Sequence, residues 1–211
     1  MDERSGSGAP ARKGTLFPPA SGPRSTPVHP KVRGAVVREE LRAARTLASD
    51  AEVEEALGQL PPEVAREVRD VLAVSWCSLA SLRAFHEAMA GVVKADPNAW
   101  HLRVVEHATQ EMFSTTFRFF LRLTSPEALV RRASTVYARI FDTGKMEATV
   151  LGPGHSLARL SGWPEPPAFH LDAVATGIVT VLRIAKLESV HARWQRTPAG
   201  ADFEIRTVPR S

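Results

Sequence analysis

A single cysteine, Cys77, stands in the 211 residues. One thiol can neither close an intrachain disulfide nor build a cysteine-based zinc cluster. Long apolar runs are missing too: nothing reaches the roughly 18 residues that a membrane-spanning helix needs. The opening residues lack the apolar stretch of about 7–15 residues that marks a secretory signal. Glycine-rich phosphate loops of the G-x-G-x-x-G and P-loop kinds are absent, so nucleotide binding by those routes has no support. No two of the seven histidines stand three or four apart, the spacing that puts two metal ligands on one helix face. These absences lead us to expect a soluble, cytoplasmic protein without a membrane span, a resident metal or a cofactor.

The net charge of +4 is equally confined. Arg4, Arg12, Lys13, Arg24, Lys31 and Arg33, set against Asp2 and Glu3, account for all of it, so residues 34–211 are neutral. A neutral domain argues against nucleic-acid binding by the folded part. Residues 1–33 also hold six of the sixteen prolines and no apolar periodicity. The expectation is a disordered basic tail over 1–33, followed by one domain over 34–211.

From Gly34 the apolar residues recur at helical spacing. Val36, Val37, Leu41 and Ala44 form one stripe, and Ser49-Asp50 and Pro61-Pro62-Glu63 open two further helices. Ser78 caps a fourth, running through Leu82, Phe85 and Met89. Asp96-Pro97 starts a long helix predicted to reach Leu123, with Leu102, Val105, Met112, Phe113, Phe117 and Phe120 along its apolar side. Ser125-Pro126-Glu127 starts another, carrying Val136, Tyr137 and Ile140.

After Asp142-Thr143-Gly144 the period changes to two. Met146, Ala148 and Val150 alternate with polar residues, Gly152-Pro153-Gly154 turns the chain, and a strand returns through Leu157 and Leu160. A helix from Pro167 to about Leu187 leads to a second hairpin. There Val190, Ala192 and Trp194 face one way, Thr197-Pro198-Ala199-Gly200 turns the chain, and Phe203, Ile205 and Thr207 alternate with polar residues. Segregated hairpins predict an α+β fold: a helical layer on a four-stranded antiparallel sheet, made of two hairpins joined by a helix.

Chemical motifs are sparse. Gly154-His155-Ser156-Leu157-Ala158 approaches the G-x-S-x-G nucleophile elbow, but its second glycine is Ala158 and the serine follows a hairpin turn. A hydrolase is therefore the third-ranked reading. His101 and His107 sit six apart and point to different sides of their helix; His107 alone offers a haem-ligand geometry, with no paired motif to support it. The Glu39-Glu40 and Glu54-Glu55 pairs read as solvated partners of neighbouring arginines. Cys77, at a helix start, is a candidate modified thiol, since a helix N-terminus lowers a thiol pKa.

The blocks Leu60-Pro61-Pro62-Glu63, Ser75-Trp76, Phe117-Arg118-Phe119-Phe120-Leu121-Arg122, Phe141-Asp142-Thr143-Gly144-Lys145-Met146-Glu147 and Val150-Leu151-Gly152-Pro153-Gly154 carry a resemblance. In order and spacing the chain resembles a large myxobacterial paralogous family of unknown function. That family is distantly similar to the superfamily of V4R sensor domains, TRAPP Bet3-like subunits and haem-NO-binding-like domains. The resemblance implies helices over a four-stranded sheet, frequent dimerisation, an apolar pocket between the layers, and sensing or assembly rather than catalysis. It departs from the sensor relatives in two ways. No cysteine lies near the closing hairpin, and the haem-sensor Tyr-x-Ser-x-Arg pattern is absent.

The expectation is a non-enzymatic regulatory domain, a homodimer, binding an apolar small ligand between helices and sheet. Its candidate lining is Met112, Phe113, Phe117 and Phe120, with Phe141 and Trp194 closing it. The alternative is a ligand-free interaction subunit that engages a protein partner through its dimer surface and tail.

Overall fold

The computed structural model describes residues 29–113, 126–185 and 189–208. The bulk of the basic tail and the stretch holding Phe117 and Phe120 lie outside the described residues.

The chain enters through a short strand β1 (Lys31–Arg33) and passes directly into helix α1 (Gly34–Leu47). Helices α2 (Asp50–Gly58) and α3 (Pro62–Arg69) follow, then strand β2 (Trp76–Ser78), α4 (Leu79–Val92) and α5 (Pro97–Met112). The second half holds α6 (Pro126–Arg131), α7 (Ala133–Ile140), the hairpin β3 (Lys145–Gly152) and β4 (His155–Ser161), helix α8 (Ala168–Ile184), and the hairpin β5 (Ser189–Thr197) and β6 (Gly200–Val208). The caps are those the sequence announces. Ser49 Oγ accepts from Glu52 N–H, Ser78 Oγ from Ala80 N–H, and Asp96 Oδ1 from Ala99 N–H at 2.8 Å.

All four long strands are antiparallel, as the two-hairpin pattern predicts, and they lie in the order β3-β4-β6-β5. β4 pairs with β6, and not with the nearer β5, so the second hairpin returns beside the first through its last strand. The sheet's inner face carries Met146, Ala158, Leu160, Val190, Ala201, Phe203 and Ile205. In β4 the buried row is Ser156, Ala158 and Leu160. Leu157 and Leu160 are three apart, so the pleat sends them to opposite faces. α8 covers the inner face and is itself packed on α5, which places it between the two layers. No helix among the described residues is long and apolar enough to cross a membrane.

Two features depart from the sequence reading. Lys31–Arg33 belongs to the fold, not to the tail. β1 pairs with β2, Val32 is buried, and the Arg33 guanidinium lies 3.8 Å from the Trp76 ring centroid. Cys77 lies in β2 and is buried, so it does not open a helix as expected. The β1–β2 ribbon also fixes the start of α1. Gly34 N–H donates to Ser75 O and Ala35 N–H to Ala73 O. This approach is so close that a Cβ on Gly34 would stand 2.0 Å from Leu72 O. Gly34→Ala must therefore push α1 off the α3–β2 connection. We expect it to lower the unfolding free energy by about 1–3 kcal/mol, the range for forced overpacking, as read by urea denaturation of the purified chain.

Candidate functional site

Where α5, α7 and α8 pass over β3 and β4, the layers do not close. A cavity of about 310 Å³ remains, and the physical reason is in its walls. Small residues meet there from every side: Ala108 on α5, Ala133 on α7, Ala148 and Ala158 cross-strand partners on the sheet, and Ala173 and Gly177 on α8. Larger apolar side chains, among them Val105, Met112, Phe113, Val136, Ile140, Phe141, Ile178 and Val181, complete the wall. Glu40 is the only charged residue among the described lining.

Of the residues expected to line a pocket, Met112, Phe113 and Phe141 do so. Trp194 does not: its indole N–H donates to Asp172 Oδ1 at 2.8 Å, holding β5 to the first turns of α8. Phe117 and Phe120 lie outside the described residues. Ser156 is a buried strand residue of β4. The Cys77 thiol is pushed up to about 12, by burial first and then by the nearby Glu67 and Glu40 carboxylates. This is the opposite direction from that expected of a helix N-terminus.

The cluster that sequence reasoning missed lies beside the cavity. Glu40, read as a solvated partner of neighbouring arginines, is only 6% exposed, and its Oε2 lies 2.7 Å from Nε2 of His86 on α4. A signal was present, because Glu40 follows Val36 by four and Val37 by three and so shares their helix face. Burial pushes the Glu40 carboxyl up to about 7, with His101 pulling the other way. His86 and His101 are both 1% exposed, their rings 4.5 Å apart. Burial holds both at about 3, so each is neutral at ordinary pH. His101 also stacks on Phe169 of α8, with centroids 3.8 Å apart. The search for histidines three or four apart could not find this group, because α1, α4 and α5 each contribute one member.

A second buried polar node stands on the other side of α8's first turn. Tyr137 Oη donates to Thr143 O at 3.0 Å and lies 3.1 Å from His170 Nε2. With the phenol proton committed to the carbonyl, His170 must donate from Nε2, which assigns its tautomer. His170 is also held at about 3 by burial. Nδ1 of His86, His101 and His170 is buried without a hydrogen-bond partner among the described residues.

No family model and no curated protein matches the chain. Among solved structures it is similar to H-NOX domains. One is an oxygen-binding H-NOX domain related to soluble guanylate cyclases, in its oxygen complex (TM-score 0.63, 12% identity, 85% of this chain and 95% of that one). Another is the Fe(II) unliganded H-NOX protein from K. algicida (TM-score 0.62, 9% identity, 84% and 97%). A third is a mutant of T. tengcongensis H-NOX (TM-score 0.61, 12% identity, 85% and 100%). At such identities the likeness is one of fold, and it agrees with the α+β architecture read from the two hairpins.

The buried groups set a pH dependence whose sign follows from linkage. Folding lowers the three histidines from 6.5 to about 3, so between these values the unfolded chain binds more protons and stability rises with pH. Glu40 acts oppositely. Raised from 4.5 to about 7, its contribution is complete below 4.5 and is lost as pH climbs through 7. The melting temperature should climb from acid pH to about 6.5 and turn down as Glu40 ionises. His170→Gln should flatten the acid limb by up to about 1.4 kcal/mol per pH unit, measured by thermal melts across pH.

Proposed function

We propose that the chain is a non-enzymatic regulatory domain that receives an apolar small molecule in the cavity between α5, α7, α8 and the sheet. The observation that carries this reading is the cavity itself. It is about 310 Å³ in size, walled by apolar side chains, with one ionisable carboxyl among the described lining. Its size lies at the lower end for small-molecule sites, and such sites combine an apolar wall with few polar groups that orient the ligand. The ligand class is a compact hydrophobic molecule with one hydrogen-bonding group, placed to meet Glu40.

The H-NOX likeness supports a sensor role by analogy of fold, and it raises the question of haem. Haem iron takes a histidine, a cysteine thiolate, a methionine paired with histidine, or a tyrosinate. The described lining of this cavity contains no histidine and no cysteine, and no lysine or arginine that could pair with propionates. Its one tyrosine, Tyr137, donates its proton to Thr143 O, and burial with Asp142 nearby holds it protonated. The described lining does not fit haem, and the apolar-ligand reading is made without it.

Binding would act by shifting a packing equilibrium between the α5–α8 layer and the sheet, because a ligand moves only the balance between states it binds differently. In this reading the domain works in the cytoplasm as a homodimer and passes the shift to a protein partner.

Gly177 provides the test. A Cβ there would meet nothing within 4 Å, since it would enter the cavity. Gly177→Leu should fill the space while removing a helix-weakening glycine. Native mass spectrometry of the freshly purified chain should show a bound small mass, and a titration with 1-aminoanthracene should saturate. Gly177→Leu should lose the bound mass and weaken the probe at least tenfold, with an unchanged circular dichroism spectrum. A clean apo mass with no probe binding, or a Gly177→Leu variant that binds like the parent, favours the ligand-free interaction subunit instead.

A further inference from the structure

We propose that Glu40, His86 and His101, brought together by α1, α4 and α5, form a binding site for one divalent first-row transition-metal ion. One carboxylate oxygen and one nitrogen from each imidazole all lie within 4.8 Å of one another, and all three residues are buried. This donor set, two imidazoles and a carboxylate, is one used by zinc and by non-haem iron, with a coordination position left over. Imidazole nitrogen disfavours magnesium and calcium, which take oxygen.

Two further observations point to a ligand for this group. The Nδ1 atom of His101 is buried without a hydrogen-bond partner among the described residues, so this ring keeps a nitrogen free to ligate where it is costly to leave one unused. Glu40 also belongs to the cavity wall, which gives an ion a path to a cluster otherwise closed inside the helical layer. A tetrahedral site with bonds of about 2.0–2.2 Å spaces its donors about 3.3–3.6 Å apart. The present Glu40–His86 separation of 2.7 Å is that of a hydrogen bond. Entry of the ion exchanges that bond for two metal bonds and releases the shared proton to solvent. The stack of His101 on Phe169 holds one ligand ring in place while this happens.

This site draws one residue from each of three helices and does not depend on an organic ligand filling the cavity. A chain that binds metal but no apolar probe would sink only the cavity reading, and the converse result only this one. The test uses the full chain without an affinity tag, dialysed against a chelator and then into metal-free buffer. Cobalt(II) is titrated in while its visible d–d bands are followed, and zinc is titrated in competition with a chromophoric chelator. Metal content after gel filtration is read by elemental mass spectrometry. The expected result is one ion per chain, with cobalt bands of a low-symmetry nitrogen–oxygen site. Glu40→Gln, which keeps a hydrogen-bonding partner for His86, and His101→Asn should each weaken binding at least tenfold. His170→Gln, a buried histidine outside the cluster, should leave affinity and stoichiometry unchanged, and circular dichroism melts of all three establish folding. Absence of bound cobalt and zinc in the parent chain overturns the proposal. So does equal binding by the parent and by folded Glu40→Gln and His101→Asn.

Discussion

Two adjacent rings in the first turn of α8, Phe169 and His170, tie the helical layer to the sheet. Phe169 stacks on His101 of α5, while His170 lies within hydrogen-bond reach of the Tyr137 hydroxyl of α7 and packs on Trp163 and edgewise on Phe141. One turn of helix thus touches both buried polar nodes, and Asp172 just beyond it receives the Trp194 indole from β5. The remainder of α8 is free to be apolar because its first turn carries the directional contacts. Its small residues Ala173 and Gly177 can then leave space instead of filling it.

That division explains why an apolar cavity and a polar cluster coexist within one layer. The cavity arises where alanines and a glycine from three helices and two strands face each other. The cluster arises where a carboxyl and two imidazoles, all kept from water, meet beside aromatic rings. Burial pushes Glu40 up and the histidines down, so the charged forms on both sides are suppressed. A group of this kind is costly to assemble, since buried polar atoms without partners cost about 1–3 kcal/mol each. Helix packing must hold it together, and the fixed start of α1 against the α3–β2 connection is part of that support.

How far the sequence could be read differs by element. The two hairpins were legible because a strand's period of two is local, and Met146, Ala148 and Val150 display it within a few residues. The caps at Ser49, Ser78 and Asp96 were legible for the same reason. Met112, Phe113 and Phe141, named for their apolar character, do border the cavity, Met112 while still 40% exposed. Trp194 was misplaced because its ring and its N–H have different needs, and the nearest acceptor, Asp172, lies on another element. β1 and β2 are three residues each, too short for any period to register.

The sequence by itself determined the order of helices and hairpins, the antiparallel sheet and the helix starts, because these follow from propensity and spacing within a few residues. Only the tertiary structure decided that β6, not β5, lies against β4, that Arg33 stacks on Trp76, and that Glu40 meets His86 across 46 residues of chain. Whether a carboxyl is a solvated ion or a buried acid depends on what packs over it, and that is set by residues distant in the chain. Glu39 and Glu40 are neighbours of the same type; the packing of α5 on one face of α1, with His86 reaching in from α4, made only Glu40 part of the cluster.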